Sequence, residues 1–133
     1  MNKHIFNIII FSTIFFHACD FKDQKLEYEE TLVVFANITA NFPVTDTVLV
    51  SRTASIDEDI LSNDLWVENA EVILIDAMGV KLPFQSLGNG RYFPISEGSS
   101  IEQVSSYLDF IIRGGEEYTL VVKTESDSVV AKT

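Results

Sequence analysis

Residues 71–95 read EVILIDAMGVKLPFQSLGNGRYFPI, and this stretch decides the fold class. Residues 71–76 are mostly apolar and β-branched, which predicts a strand, and Ala77-Met78-Gly79 predicts the turn that ends it. A weaker strand is expected over 80–87. Because Pro83 has no backbone N–H to give to a neighbouring strand, we expect this second strand at an edge or a bulge of the sheet.

The next turn in this stretch is the pair Asn89-Gly90. Both central residues of a type I′ turn need a positive φ, which asparagine and glycine adopt more easily than other residues. The chain then returns as a third strand over 91–95. Residues 71–95 therefore predict a meander of three antiparallel strands.

Four further segments have the composition and length of strands. Residues 32–38 are apolar on both faces, which predicts an interior strand, and 47–51 predict a partner for it. Residues 118–123 alternate in the manner of a strand, and 129–131 follow a turn. The predicted fold is therefore all-β, an antiparallel β-sandwich of about seven strands over residues 31–133.

The segment 99–114 allows two interpretations. Its apolar residues recur at helical spacing, namely Ile101, Val104, Leu108 and Ile111. Ser99 and Glu102 have the spacing of a capping box, which also favours a helix. Residues 108–112 alternate instead as in a strand. We expect a short helical turn over 101–105 that leads into a strand.

The N-terminus has the layout of a secretory signal. Lys3-His4 forms a short basic start, and residues 5–16 form a mostly apolar run. As a helix, this run is about 18 Å long at 1.5 Å per residue. It is too short to span a hydrocarbon core of about 30 Å.

Residues 16–19, Phe-His-Ala-Cys, resemble the lipobox of bacterial lipoproteins. The resemblance implies a helical signal peptide over 1–18, cleavage between Ala18 and Cys19, and fatty acids on the Cys19 thiol and on the new amino group. Several acyl chains would anchor the protein stably in a membrane, whereas one chain holds weakly. The alternative is an ordinary signal peptide or an uncleaved anchor.

Charge and size exclude several classes of protein. The chain has 133 residues, with 9 Lys or Arg against 20 Asp or Glu and a formal charge of −11. This length allows one domain, and 47% hydrophobic residues are enough for a core. We expect no nucleic-acid partner, because such binding depends on Lys and Arg that neutralise phosphates.

Cysteine and histidine occur only near the N-terminus. Cys19 is the only cysteine, and His4 and His17 are the only histidines. Cleavage after Ala18 would leave a domain without imidazole or a free thiol, which excludes an internal disulfide, a Cys/His zinc site and Ser-His-Asp or Cys-His catalysis. We therefore expect no cofactor and no enzymatic activity.

Residues 19–30 are polar and charged, and we interpret them as a tether that holds the domain away from the lipid surface. Within them, residues 19–23 resemble the lysine-plus-acidic signal that sends Bacteroidota lipoproteins to the cell exterior. A solvated linker without such a signal is the equal alternative.

A series of short segments follows Cys19 in a fixed order along the chain. They are LVV at 32–34, VLVSR at 48–52, NAEVILID at 69–76, GRY at 90–92 and GGEEYTLVV at 114–122. Over residues 19–133 this order resembles the DUF4249 lipoproteins of Bacteroidota, whose domain has no known function.

The resemblance to DUF4249 implies an immunoglobulin-like or transthyretin-like sandwich in a cell-envelope lipoprotein. Such lipoproteins are often encoded near a TonB-dependent outer-membrane transporter, which implies a transporter as partner and the outer membrane as location. Members usually continue into a further β-rich region, so this chain is expected to be a fragment or a truncated form.

The acidic connection over 54–69 supplies the only metal candidates that we consider. Asp57, Asp59 and Asp64 carry the oxygen ligands that Ca²⁺ prefers, although their spacing lacks the pattern of an EF-hand loop. A solvated loop is the favoured interpretation.

Three aromatic residues are candidates for binding, namely Trp66, Tyr92 and Tyr107. Exposed aromatic side chains often anchor a partner or a sugar, but in a small sandwich they more often pack in the core. The leading hypothesis is a non-catalytic, lipid-anchored envelope protein that contacts other proteins. The alternative is a carbohydrate- or calcium-binding surface module.

Overall fold

The computed structural model describes residues 28–56 and 63–133. In these ranges the chain forms seven strands, a 3₁₀ turn at Asn63–Leu65 and one α-helix, α1, at Ile101–Asp109. The strands are β1 (Leu32–Phe35), β2 (Val48–Arg52), β3 (Glu71–Ile75), β4 (Lys81–Gly88), β5 (Arg91–Phe93), β6 (Thr119–Lys123) and β7 (Ser128–Lys132).

All seven strands pair antiparallel in one sheet, in the order β1-β2-β5-β4-β3-β6-β7. β4 joins the two halves, because residues 81–84 pair with β3 and residues 85–88 pair with β5. The two end strands, β1 and β7, approach each other, so the sheet is nearly closed. The prediction of an all-β fold with about seven antiparallel strands is confirmed.

The core lies inside this folded sheet. Alternate residues of β2, β3, β4 and β6 point into it, as the period of a strand requires. The side chains most completely enclosed are Val44, Val50, Val72, Tyr92 and Val122. The described ranges contain no buried charged or polar residue, so apolar burial is the main stabilising term in the interior.

Both turns of the meander form where the sequence predicts them. Oδ1 of Asp76 accepts hydrogen bonds from the backbone N–H of Met78 at 2.9 Å and of Val80 at 2.8 Å. Gly79 has φ +84°, which a residue with a Cβ rarely adopts. At the second turn Asn89 and Gly90 have φ values of +52° and +65°, and the pair Gly88 and Arg91 encloses them.

Pro83 lies in the half of β4 that pairs with β3 only. The N–H of Asp76 donates to the carbonyl of Val80, and hydrogen-bonded pairs alternate along an antiparallel ladder. The backbone N and C=O of residue 83 therefore point away from β3. They face the other side of β4, where β5 has already ended. The missing donor of proline removes no bond of the ladder, although β4 as a whole is interior to the sheet.

The prediction that 32–38 form an interior strand is wrong. β1 covers only Leu32–Phe35, and it is an end strand of the sheet that pairs with β2 alone. Leu32 and Val34 pack against the core, whereas Val33 and Phe35 are exposed. Both faces of β1 are apolar, because the inner face packs against the core and the outer face forms an exposed apolar surface.

The helix is longer than the sequence pattern predicts, and its cap lies one residue later. Ser100 is the N-cap, and it forms a capping box with Gln103, so the expected pair of Ser99 and Glu102 is wrong. Residues 110–112 belong to no strand, contrary to expectation. The N–H of Ile112 donates to Phe42, and the N–H of Asn41 donates back to Ile112.

The apolar face that helical spacing predicts does not enter the core. Ile101 is 90% exposed, and Leu108 and Ile111 are also exposed. The helix is held instead by Tyr107, whose ring packs on Phe93 at 5.6 Å between centroids.

The last residues of the predicted tether contact the folded domain. The hydroxyl of Tyr28 donates to the carbonyl oxygen of Thr53 and lies 2.8 Å from Oγ1 of Thr53. Glu30 forms an ion pair with Arg52 at 2.6 Å. Residues 28–30 are thus fastened to the end of β2, while 1–18 and 19–27 lie outside the described residues.

Candidate functional site

Several predicted site residues lie outside the described ranges. These are Ala18, Cys19, Asp57 and Asp59. Asp64 is described, and its backbone carbonyl accepts a hydrogen bond from Nε of Arg52 at 2.6 Å. Among residues 28–56 and 63–133, no group of three His, Cys, Asp or Glu side chains is placed to hold a metal ion.

Tyr92 is a core residue in the structure. Its side chain is 1% exposed, and its hydroxyl donates to the carbonyl of Val67 at 2.8 Å and accepts from the N–H of Ala70 at 2.9 Å. These bonds attach residues 67–70 to β5. The ring therefore presents no face to a ligand.

Tyr107 is half-buried on the side of α1 that faces the sheet. Its hydroxyl donates to the carbonyl of Val44 at 3.0 Å, and its ring contacts Phe93. This side chain holds α1 against the sheet, so its contacts are structural. Of the three predicted aromatic residues, Trp66 alone is exposed, at 40%.

Trp66 lies on the outer face of the sheet because of its place in the register. It forms an isolated antiparallel bridge with Ser51, and Ser51 pairs in turn with Val33 of β1. Residues directly opposite each other in a sheet point to the same face. Leu65 is buried and Val67 packs on the core, so the alternation also places the indole outside.

Val33, Phe35 and Trp66 form a surface that we call the outer patch. Phe35 is 63% exposed and Val33 is 43% exposed, and both lie on the same face as Trp66. Phe35 pairs with the half-buried Leu49. Sequence analysis did not identify Val33 and Phe35 as exposed residues, because a strand with two apolar faces is equally typical of the interior of a sheet.

Two open grooves flank α1. One, of about 360 Å³, lies between the helix and the half of β4 that does not pair with β5. It is lined in part by Lys81, Pro83 and Glu102. The other, of about 350 Å³, lies beside the turn at Met78 and is lined in part by Asp109. Both grooves are lined by side chains of mixed charge, in contrast to the outer patch.

A smaller apolar crevice of about 110 Å³ lies at the ends of β1 and β7. Ala36 and Ile38 line it on one side and Ala131 on the other, with core residues such as Phe84 between them. It marks the place where the sheet stays open.

In the described ranges, no helix has the length and apolar content that a membrane crossing requires. No curated protein and no solved structure matches the chain. A family model does match: Domain of unknown function (DUF4249), over residues 19–133. Because this match covers nearly the whole chain, the protein belongs to the DUF4249 family.

Proposed function

We propose that this protein is a non-catalytic lipoprotein that is anchored in the outer membrane through lipid on Cys19 and contacts other envelope proteins. The observation that carries the proposal is the position of Cys19. It is the only cysteine, it ends an apolar run in a lipobox-like tetrapeptide, and the family match begins at this residue.

The outer patch supports a role in protein contact. It combines an aliphatic side chain with two aromatic side chains on one face, and Leu49 continues it toward the centre of the sheet. Exposed apolar surface of this kind favours contact with a protein. On this face, half-buried Ser51 lies between Val33 and Trp66.

The partner that we propose is an outer-membrane transporter of the TonB-dependent kind, for which this protein is an accessory. The family resemblance is the basis of this step. Affinity capture of the full-length protein from detergent-solubilised envelope tests it. We expect a transporter to be recovered with the protein, and a preparation in which no transporter is enriched would contradict the proposal.

Replacing Cys19 tests the anchor. We expect Cys19→Ser to abolish labelling by radioactive palmitate and to release the protein from membranes, since no other residue of the chain offers a thiol. The variant Ser12→Ala, which changes the apolar run but keeps Cys19, is the control and should be labelled like the wild type. Undiminished labelling of Cys19→Ser would refute the anchor.

A further inference from the structure

Arg91 differs from the other two arginines of the chain, because no described carboxylate pairs with its guanidinium. Arg52 pairs with Glu30 at 2.6 Å, and Arg113 pairs with Glu116 at 3.7 Å. Among the residues that the structure describes, the side chain of Arg91 forms no hydrogen bond, ion pair or ring contact. This is unexpected in a chain that has 20 Asp or Glu against 9 Lys or Arg.

Arg91 lies on the outer face of the sheet, in line with the outer patch. The adjacent Tyr92 points into the core, so the alternation of β5 directs Arg91 outward, where it is exposed. Arg91 pairs with Leu49, which pairs in turn with Phe35. These three side chains therefore form one row across β1, β2 and β5.

Trp66 lies beside Arg91 on the same face. Ser51 follows Leu49 by two residues on β2, and it forms the bridge to Trp66. Residues two apart in a strand are separated by about 7 Å, so the backbones of Arg91 and Trp66 are about that far apart. A Cβ added at Gly90 would lie 3.4 Å from Cβ of Trp66, which agrees with this proximity.

The cross-strand neighbours of Arg91 offer its guanidinium no partner. On the side of β4 it pairs with Gly88, which has no side chain, and on the side of β2 it pairs with the aliphatic Leu49. The carboxylate of Glu68 instead accepts a hydrogen bond from the N–H of Asn89 at 3.1 Å. Exposed cations without a partner are common, but this one is placed in an apolar row.

A protein that covers the outer patch would also cover Arg91. Transfer of a charge from water into an interface is costly unless an opposite charge pairs with it. A carboxylate matches the planar guanidinium with two parallel hydrogen bonds. Tryptophan and arginine are also among the residue types that contribute most of the binding energy in protein interfaces. A partner that binds here therefore needs a carboxylate opposite Arg91.

We propose that Arg91 and the outer patch together bind a surface segment of another protein in which an Asp or Glu side chain is flanked by apolar residues. The carboxylate pairs with Arg91, and the apolar residues contact Phe35, Leu49 and Trp66. This chemistry specifies the partner in the protein contacts proposed above and rests on that function. A second copy of this chain is a poorer occupant, because each copy has a formal charge of −11.

A phage-displayed library of random nine-residue peptides, selected against the full-length protein in detergent, tests this chemistry. We expect the enriched sequences to contain Asp or Glu between apolar or aromatic residues. An enriched peptide is then synthesised with a fluorescent label, and its affinity is measured by anisotropy. Replacing its acidic residue with the corresponding amide should weaken binding roughly tenfold or more.

Variants of the protein locate the binding site. Arg91→Gln should weaken binding of the acidic peptide roughly tenfold or more, whereas Arg113→Gln is the matched control and should bind like the wild type. Arg91→Lys should recover only part of the affinity, because an ammonium group cannot form the two parallel bonds. In Arg91→Gln, the acidic peptide and its amide form should bind equally within about twofold, since the two changes remove the same contact.

Thermal melting distinguishes binding from a structural role of Arg91. Arg91→Gln should melt within roughly 3 °C of the wild type, because no described residue loses a partner. A larger decrease would reveal an internal ion pair and overturn the proposal. Failure to enrich any peptide, or enrichment only of peptides that bind Arg91→Gln like the wild type, would also overturn it. So would self-association in sedimentation velocity that Arg91→Gln abolishes, because a second copy would then be the occupant.

Capture from the solubilised envelope separates this site from the proposed function. We expect Arg91→Gln to recover less transporter than the wild type. Equal recovery by the two proteins would contradict the role of Arg91 and leave the transporter as partner. Recovery by neither protein, together with the expected peptide results, would refute the transporter alone.

Discussion

Replacing Gly90 with alanine is expected to destabilise the domain by about 2–5 kcal/mol, which combines left-handed backbone strain with overpacking. A Cβ at this position would overlap the carbonyl oxygen of Val50 and lie 2.9 Å from Cε3 of Trp66. The first contact is with backbone that is itself bonded, since the N–H of Val50 donates to Gly90 at 2.8 Å. The midpoint of thermal unfolding should fall by roughly 10 °C or more.

Gly88→Ala is the matched control in the same turn. Gly88 has φ +83°, but a Cβ there would meet no atom within 4 Å. Only the backbone strain of about 1–2 kcal/mol applies, so this variant should be clearly more stable than Gly90→Ala. Equal melting temperatures for the two variants would contradict the close approach of β2 and Trp66 to Gly90.

Tyr92→Phe is expected to destabilise the domain by about 2–4 kcal/mol, because one buried hydroxyl serves two backbone groups. Without it, the carbonyl of Val67 loses its donor and the N–H of Ala70 loses its acceptor. The phenyl ring fills the same space, so the loss measures hydrogen bonding alone. Denaturant unfolding with a global fit gives the free energy of unfolding.

Tyr107→Phe is the control for this change. It also removes one hydroxyl, but that hydroxyl makes one bond, to the carbonyl of Val44, and the side chain is half-buried. We expect a loss of about 1 kcal/mol. A loss for Tyr92→Phe that is no larger than this would show that water replaces the hydroxyl at residues 67–70.

Local chemistry made the meander predictable. The turns at Gly79 and at Asn89-Gly90 depend on positive φ values, which few residue types adopt, so composition identifies them. Strand positions in the core were predictable for a related reason, since burial alternates along β3 and β4. These features depend on neighbours a few residues away.

Features that depend on distant partners were not predictable in the same way. β1 is an end strand because only β2 pairs with it, and its own apolar composition carries no information on that arrangement. The apolar spacing of α1 predicts a buried face, yet no residue of the helix is buried, and the ring of Tyr107 packs on Phe93. The capping residue differs by one position because Ser99 and Ser100 are adjacent, and side-chain bonding distinguishes them.

In the candidate site, too, local features were visible in the sequence and features that depend on distant pairing were not. Trp66 stands out in the sequence as an aromatic residue in a polar connection, but core packing was the favoured interpretation for it, and the structure shows it exposed. That Val33 and Phe35 share a face with Trp66 was not predictable, because it depends on the pairing of β1 with β2 and of Ser51 with Trp66.

The hydrogen bonds of Tyr28 to Thr53 limit how far the domain could move from the lipid that we propose on Cys19. Nine residue steps separate Cys19 from Tyr28, and a fully stretched chain covers at most about 30 Å over that distance. In a copy anchored through Cys19, Tyr28 would therefore stay within about 30 Å of the lipid headgroups. A partner could contact the domain at this height and beyond it, by the width of the domain itself.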